Sequence, residues 1–487
     1  MNYPGKKPKL IHAFIPIFFL IILLGLNVIF FKDATLDGSN QIALLLAASV
    51  ATIISIKLGV SWEVIRKKIV TTIGSSMPSI LILLMIGALS GTWLISGVVP
   101  ALIYYGLDIL FPSIFLFAAV VISSVVSLAT GSSWSTIATI GIALLGIGAA
   151  MGIGKPIVAG AIISGAYFGD KMSPLSDTTN LAPAMAGTDL FTHIRYMLKT
   201  TGPSMIITLI IFLIIGFTSD FNTVSTSVDS VQTAIKNNFN LNPLLFLVPI
   251  ILIVIIIKKV PPLPSLLIGT LLGAVAAVIF QPEIIEQIAN TTGNYAKASY
   301  ISSMQAMYGD IQLQTGDAVI DDLFHTSGMS GMLLTIWLIL SAMTFGGVME
   351  SSGLLLRITE EIVKFAKSTG SLVASTAATC IFFNVTASDQ YISIVVPGRM
   401  YANTYKKMNL KPEVLSRTLE DSGTVTSVLI PWNTGGATQS RVLGVPTLEY
   451  LPFAFFNYIS PIMTVFFAYA NIKIRRLTDK DDKKDNK

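Results

Sequence analysis

Charged residues are scarce in this sequence. Of its 487 residues only 12% are Asp, Glu, Lys or Arg, whereas 53% are hydrophobic. A soluble globular domain typically has about 25% charged residues, so this composition excludes an ordinary soluble protein. The apolar runs have the length of bilayer-crossing helices rather than of strands. The sequence therefore predicts an all-α polytopic protein of the cell membrane, surrounded by lipid.

Cysteine and histidine are nearly absent as well. The lone Cys380 excludes a disulfide framework and a thiolate metal cluster. The three histidines, His12, His193 and His325, lie far apart in sequence, which argues against a histidine-rich metal site. Because the sequence also has no clustered nucleophile and base, we expect neither an enzyme nor a cofactor. The net charge of +5 comes from loops and tails and does not indicate a nucleic-acid partner.

Long apolar windows predict the crossing helices. They lie at 11–31, 41–56, 78–107, 203–217, 243–257, 263–280, 331–348 and 451–470. The first window is longer than the apolar part of a signal peptide, so we interpret it as a membrane helix. Two regions are predicted as pairs of shorter segments, and two helices are interrupted by polar residues. The pairs are 112–128 with 136–153 and 371–384 with 391–397, and the interrupted helices are 156–180 and 414–436.

The two halves of the chain repeat each other. Several matching residues are separated by a constant 256 positions: Gly91 and Gly347, Thr130 and Thr386, Ser132 and Ser388, Pro156 and Pro412. The offset becomes 257 at Pro174 and Pro431. Internal duplication is the sequence mark of many transporters. We predict a first repeat at 1–242 and a second at 243–487, with a loop insertion at 281–330 and a charged tail at 473–487.

Charge placement predicts the topology. With a cytoplasmic N-terminus and ten crossing helices, 25 of the 32 lysines and arginines fall on the cytoplasmic side and five outside. This bias follows the positive-inside rule. It predicts that both termini are cytoplasmic, that the insertion at 281–330 is an extracellular loop, and that the two repeats are inverted. It does not distinguish re-entrant hairpins from full crossings, because both add an even number of passes.

The most polar stretch next to an apolar run is 169–180, Gly-Asp-Lys-Met-Ser-Pro-Leu-Ser-Asp-Thr-Thr-Asn. The uncharged helix before it, 156–169, rises only about 21 Å, which is less than the roughly 30 Å of a bilayer core. A carboxylate at that depth is costly, and its default interpretation is functional. We predict Asp177 as an ion or proton site, with a helix-capping role as the alternative. Asp170 is either part of this site or bound to Lys171.

Oxygen-bearing side chains are the ligands expected for Na⁺. Four polar patches supply them, at the junction of each segment pair and at each helix interruption. The predicted ion-binding residues are Thr130, Ser132, Ser133, Ser135, Asp170, Ser173, Ser176, Asp177, Thr178, Thr179, Asn180, Asn384, Thr386, Asp389, Asn433 and Thr434. Asp177 is the predicted Na⁺ ligand, and Asp389 is a second candidate for a proton site. Glu420 and Asp421 are interpreted as residues that could face a cytoplasmic cavity.

The patch at 130–136, Thr-Gly-Ser-Ser-Trp-Ser-Thr, together with the stretch 169–180 and the Gly-Thr-Asp-Leu at 187–190, resembles the NhaC family of sodium/proton antiporters. That family includes malate and sodium-lactate exchangers and belongs to the ion transporter superfamily. The resemblance implies two inverted repeats, each with a re-entrant helical hairpin and a broken helix. It also implies that 176–180 lie at the ion site. In the second half, the superfamily's Ser-Asn-Thr pattern is matched only at Asn433-Thr434, because Trp432 precedes them.

These observations predict a secondary transporter that exchanges Na⁺ for H⁺ at a mid-membrane site by alternating access. The alternative is a Na⁺- and H⁺-coupled exchanger of a small carboxylate such as malate or lactate. The carboxylate would need Lys171, Arg399, Arg417 or the hairpin-tip amides as partners. A channel and a membrane enzyme are the remaining alternatives. A homodimer is possible.

Overall fold

The structure, a computed structural model, describes residues 5–31, 37–219, 225–291, 293–313, 321 and 324–477. The tail from residue 478, together with Lys32, Asp317 and Asp322, lies outside the described residues. The helices up to the middle of the chain are α1 Leu10–Phe31, α2 Ser39–Lys57, α3 Trp62–Ile95, α4 Val98–Ile109, α5 Pro112–Thr130, α6 Ser133–Thr136, α7 Ile142–Ala150, α8 Lys155–Met172, α9 Asp177–Ala186, α10 Leu190–Thr218 and α11 Ser225–Asn238. One π-helical segment, Ile137–Gly141, joins α6 to α7.

The second half of the chain is also built mainly from helices. Its helices are α12 Leu247–Ile257, α13 Pro262–Phe280, α14 Pro282–Ala289, α15 Tyr295–Tyr308, α16 Leu333–Ser351, α17 Leu354–Val363, α18 Thr369–Thr386, α19 Gln390–Lys407, α20 Pro412–Leu419, α21 Val425–Ser427, α22 Thr434–Leu443, α23 Thr447–Tyr450 and α24 Phe455–Tyr469. A π-helical segment, Glu420–Thr424, connects α20 to α21. Two short strands, β1 Ile311–Gln312 and β2 His325–Thr326, form an antiparallel pair.

The membrane architecture is confirmed. Within the described ranges, nine helices are long and apolar enough to cross a bilayer, or up to eleven if each of two bent pairs counts as one span. Large apolar side chains such as Phe18 and Ile22 of α1 and Ile210 of α10 are exposed. Such a surface is incompatible with water and fits the hydrocarbon of a bilayer. The protein is therefore an all-α, multi-pass membrane protein, as the composition predicts.

The window predicted at 78–107 differs from the structure. Helix α3 begins earlier, at Trp62, and ends at Ile95, and α4 follows after Gly97. Gly97 has a φ of 81°, in the left-handed region where side chains with a Cβ are strained. Gly353, its equivalent in the second repeat, has a φ of 71° and lies between α16 and α17 in the same way. The turn thus belongs to both repeats.

The insertion at 281–330 contains regular structure in its described part, and its extracellular position stays a prediction. It contains α14, α15 and both strands, and α15 packs on α3. The contact is close because Gly91 faces the Ala306 carbonyl, where a Cβ would clash. The polar segment before α12 also contains a helix, α11, which buries Val231 and Ile235. The polar composition of these segments did not indicate helices, and α15 packs through the small side chains Ala298, Ser302 and Ala306.

The repeat is visible in the local structure. Helix α9 and helix α22 each have ten residues, and their first residues, Asp177 and Thr434, lie 257 positions apart. Each ends at a glycine in the left-handed conformation, Gly187 or Gly444. Hairpin α5 with α6–α7 corresponds to α18 with α19, and the broken helix α8–α9 corresponds to α20–α22. The repeat boundaries and the inverted orientation of the repeats stay predictions.

Candidate functional site

The first broken helix is held open by its own polar side chains. Helix α8 ends at Met172, and the Ser176 hydroxyl caps α9 by accepting a hydrogen bond from the Thr179 amide at 3.4 Å. The Thr179 hydroxyl donates to the carbonyls of Asp170 and Lys171, at 3.3 and 3.1 Å. The Asn180 amide nitrogen donates to the Pro174 and Ser176 carbonyls, at 3.0 and 2.7 Å. Thr179 and Asn180 therefore satisfy the backbone that the break exposes.

The tip of the first hairpin contacts this break directly. Between α5 and α6, Gly131 has a φ of 70°, and a Cβ there would lie 2.5 Å from the Leu175 Cβ. The Ser132 hydroxyl caps α6. Both the amide and the hydroxyl of Ser133 donate to the same carboxylate oxygen of Asp170, at 3.1 and 2.6 Å. Asp170 is thereby fixed by the hairpin tip and not by Lys171.

A cavity of about 1020 Å³ opens beside the tip and the break. Seven of the predicted site residues line it: Thr130, Ser132, Asp170, Ser176, Asp177, Thr178 and Asn180. The Asp177 side chain is exposed at the start of α9, and among the described residues none donates a hydrogen bond to its carboxylate. The opposite wall consists of α3 and of the connection between α12 and α13, which includes Lys259. The cavity thus contains a carboxylate that is free to bind a cation.

Helix α19 closes the cavity from the second repeat. Its first two residues, Gln390 and Tyr391, line the wall, and sequence reasoning missed both. Tyr391 lines the same cavity as Asp170 and Asp177, and its backbone amide donates to the Asp389 carboxylate. Residues from three different segments are thereby brought together at this wall.

Asp389 itself is buried behind this wall. One carboxylate oxygen, Oδ1, accepts hydrogen bonds from the amides of Tyr391 and Ile392, at 2.9 and 3.0 Å, and so caps α19. The other, Oδ2, has no hydrogen-bond partner in the described part of the chain. Asp389 does not line the cavity. The structure thus gives it a capping role and leaves one oxygen available.

The predicted residues of the second broken helix bond mostly to one another. The Asn433 amide nitrogen donates to the backbone and side-chain oxygens of Asn384, at 3.0 and 3.1 Å. The side-chain amide nitrogen of Asn384 donates to the Gly423 carbonyl at 2.7 Å, and the backbone amide of Thr434 donates to the Ser388 carbonyl at 2.9 Å. These side chains are buried, and none of them lines the cavity. Asn384, Asn433 and Thr434 thus contact one another and the second hairpin rather than the cavity, and their role as ion ligands stays a prediction.

The remaining predicted residues are buried away from the cavity wall. The Thr386 hydroxyl donates to the Phe382 carbonyl within α18, at 2.7 Å. The Ser173 hydroxyl accepts from the Leu175 amide at 3.2 Å. The Ser135 hydroxyl has no partner among the described residues.

A buried ion pair next to the break was missed. Lys171 Nζ binds the Asp421 carboxylate, and both side chains are inaccessible to solvent. Lys171 also donates to the Ser460 hydroxyl at 3.0 Å, and the Asp421 carboxylate accepts from Thr464 and, at 3.2 Å, from Thr200. The idea that Asp421 faces a cytoplasmic cavity is wrong. A lysine inside an apolar helix requires a buried partner, and this requirement was the sequence feature that could have indicated the ion pair.

Glu420 is buried too, and it reaches across to the first repeat. Its Oε1 accepts a hydrogen bond from the Thr178 hydroxyl at 3.1 Å, and Thr178 lies 3.2 Å from the Ser176 hydroxyl. The first break is therefore tied to the second repeat by two adjacent carboxylates, through Thr178 and through Lys171. Sequence spacing could not reveal these contacts, because about 240 residues separate the partners.

The cations considered as carboxylate partners do not line the cavity. Lys171 is engaged by Asp421, Arg417 is buried against the Tyr196 ring, and Arg399 is exposed elsewhere. Lys259 and the backbone of 131–132 do lie on the cavity wall. The described residues include no group of three or more His, Cys, Asp or Glu side chains arranged to hold a metal ion. The oxygen atoms around the cavity suit a hard monovalent cation instead.

The sequence profile of the Na⁺/H⁺ antiporter family matches residues 165–472, a range that includes both helix breaks. The chain belongs to the Na⁺/H⁺ antiporter family. The chain is 37% identical to the Na⁺/H⁺ antiporter NhaC of Alkalihalophilus pseudofirmus, over 94% of this chain and 96% of that protein. The resemblance to NhaC proteins is therefore confirmed.

Two further relatives carry other names. The malate-2H⁺/Na⁺-lactate antiporter of Bacillus subtilis is 35% identical, over 93% of this chain and 94% of its own length. The arginine/ornithine antiporter ArcD of Halobacterium salinarum is 33% identical, over 97% of this chain and 94% of its own. Family membership therefore shows an antiporter-type transporter, while the relatives differ in the solutes named for them.

Proposed function

We propose that this protein exchanges Na⁺ for H⁺ across the cell membrane and that both ions use the cavity beside the first broken helix. The observation that carries the proposal is the Asp177 carboxylate, which is exposed to the cavity without a hydrogen-bond partner among the described residues. Carboxylates and hydroxyls are ligands that hard cations prefer.

The ligand set that we propose comes mainly from the first repeat. Asp177 and Asp170 supply carboxylates, and Thr130, Ser132 and Ser176 supply oxygen atoms around the same space. Na⁺ and H⁺ compete for these carboxylates, so that a site occupied by one ion excludes the other. Competition of this kind is sufficient for exchange when the site faces each side of the membrane in turn.

Alternating access is the transport mode that the architecture supports. Inverted repeats with broken helices commonly rock or slide against each other around a site near the midplane. Lys259, which the charge pattern assigns to the cytoplasmic side, lies on the cavity wall. We therefore interpret this conformation as open to the cytoplasm, and a second conformation would open the site to the outside.

The test is transport in proteoliposomes. An inward Na⁺ gradient should drive proton efflux, detected with an internal pH dye, in buffer that contains no organic acid. Asp177→Asn removes the titratable carboxylate and should abolish this flux. The matched control is Asp229→Asn, the same change at an exposed position of α11, which should transport normally. Normal flux in the Asp177 variant would remove this residue from the mechanism.

A second candidate function is exchange of a small organic solute together with Na⁺ and H⁺. The cavity volume of about 1020 Å³ favours it, because that volume matches pockets for organic ligands and exceeds what a bare ion needs. Lys259 on the wall could bind a carboxylate. Flux that appears only with malate, lactate, arginine or ornithine would replace simple Na⁺/H⁺ exchange by this function.

A further inference from the structure

One buried arginine has no counter-charge. Arg417 of α20 is inaccessible to solvent, and none of its three guanidinium nitrogens has a hydrogen-bond partner in the described part of the chain. Burying an ionised group without compensation costs several kcal/mol, so that buried charges are normally paired. A guanidinium remains protonated in proteins, which leaves neutralisation by an anion as the remedy.

The side chains around Arg417 add positive charge. Its guanidinium carbon lies 4.6 Å from the centre of the Tyr196 ring, and Lys199 Nζ and the Arg475 guanidinium carbon each lie 5.3 Å from the same ring. Glu413, on the same helix as Arg417, is the carboxylate near these groups. Its Oε1 already accepts a hydrogen bond from Arg475 at 2.9 Å. Three cations therefore surround the Tyr196 ring among the described residues. The carboxylate near them, Glu413, is already bound by Arg475.

The next carboxylates along the chain do not pair with Arg417 in the described part of the chain, although the Glu420 Oε2 has no hydrogen-bond partner there. Asp421 binds Lys171, and Glu420 accepts the Thr178 hydroxyl. The aromatic face of Tyr196 contributes some stabilisation to the cations, because the ring face is electron-rich. It supplies no hydrogen-bond acceptor for the guanidinium nitrogens, however, and these donors remain unsatisfied.

We propose that a small monovalent anion, chloride in the cell, binds at the Arg417 guanidinium between α10 and α20. Arg417 is fully buried, so that binding requires neighbouring side chains to move aside, and a compact, weakly hydrated ion needs a smaller displacement than a phosphate or a lipid headgroup. The anion accepts hydrogen bonds from the guanidinium and neutralises part of the charge around Tyr196. Helix α20 continues into the segment that carries Glu420 and Asp421, so the bound anion stabilises the contacts between the two repeats. The site does not depend on the proposed ion exchange.

Thermal unfolding of the purified full-length protein tests the proposal. The unfolding midpoint is measured in potassium chloride and in potassium gluconate at equal ionic strength, without Na⁺. A ligand that binds only the folded state raises the midpoint, so chloride should raise it by several degrees. In Arg417→Met, which keeps an unbranched chain without the charge, the two salts should give the same midpoint.

The matched control is Arg195→Met, the same substitution at an exposed arginine of α10. This variant should keep the full chloride effect. Equal midpoints for the unsubstituted protein in both salts would overturn the proposal, as would a chloride effect that persists in Arg417→Met. Stabilisation by phosphate or by anionic lipid but not by chloride would overturn the choice of anion.

A direct measurement covers the case in which Arg417→Met does not fold. Crystals of the unsubstituted protein grown in bromide should show an anomalous difference peak within hydrogen-bond distance of the Arg417 guanidinium. A map with ordered Arg417 and no such peak, at a bromide concentration of about 0.5 M, would contradict the site.

Discussion

The two helix breaks of the molecule have the same backbone and different chemistry. In each, a polar residue caps a ten-residue helix, Ser176 for α9 and Asn433 for α22. The first break presents Asp177 to a cavity, whereas the second presents Thr434 to a buried network of amides. Duplication thus preserved the fold of the break, and the first residue of the resumed helix differs in charge. In the function that we propose, this difference places the ion-binding carboxylate in the first repeat.

The largest effect is expected from exchanging the two residues that differ. Asp177→Thr gives the first break the residue found at the second, and Na⁺-driven proton flux should fall to the level of empty liposomes. Thr434→Asp buries a carboxylate without a partner and should lower the free energy of unfolding by several kcal/mol. Flux and unfolding midpoints measure these effects. Transport by Asp177→Thr would show that the second break can serve alone.

A smaller but still large effect is expected at Lys171. The two repeats differ here as well, because the corresponding positions of the second repeat, 427–428, carry no charge. Lys171→Met leaves Asp421 buried and unpaired and should cost about 3–5 kcal/mol of stability. Asp421→Asn should cost a similar amount, and the double variant much less than the sum. Thermal unfolding in detergent measures this cycle.

The control for that cycle is the more exposed ion pair between Lys68 and Glu350, whose atoms lie 2.5 Å apart. Its removal should cost no more than about 1 kcal/mol, because water screens the pair. If the stability losses of Lys171→Met and Asp421→Asn simply add in the double variant, the two side chains do not stabilise the protein through their contact with each other.

A moderate effect is expected at the hairpin tip. Ser133 holds Asp170, while its equivalent 256 positions on, Asp389, caps a helix. Ser133→Ala removes a hydrogen bond to a carboxylate and should raise the Na⁺ concentration for half-maximal flux roughly tenfold. Ser124→Ala, which loses only a bond within α5, is the control. An unchanged Na⁺ dependence in Ser133→Ala would separate Asp170 from ion binding.

The smallest effect is expected when the same substitution is made at two equivalent positions. Thr130 lines the cavity, whereas the Thr386 hydroxyl bonds within α18. Thr130→Val should raise the half-saturating Na⁺ concentration about threefold, and Thr386→Val should leave it unchanged. Initial rates over a range of Na⁺ concentrations measure both. Equal effects would mean that the second hairpin tip also contributes to the ion site.

Sequence reasoning predicted the local backbone features beside the cavity. Apolar length and polar interruption located both broken helices, and the offset of 256–257 paired them. It failed for contacts that join distant segments. Lys171 was considered with its neighbour Asp170, whereas its partner Asp421 lies 250 positions away. Gln390 and Tyr391 gave no signal, because they become wall residues only when α19 packs beside the first break.

By itself, the sequence determined the membrane environment, the duplication, the breaks and the carboxylate at Asp177. These follow from hydropathy and backbone chemistry, which act within a few residues. Only the tertiary structure decided which polar residues face the cavity and which satisfy one another. The physical reason is that a buried polar group without a partner is costly, and the packing of the two repeats decides which groups have a partner. Asp177 is exposed to the cavity while Thr434 is buried, although both are the first residues of equivalent helices.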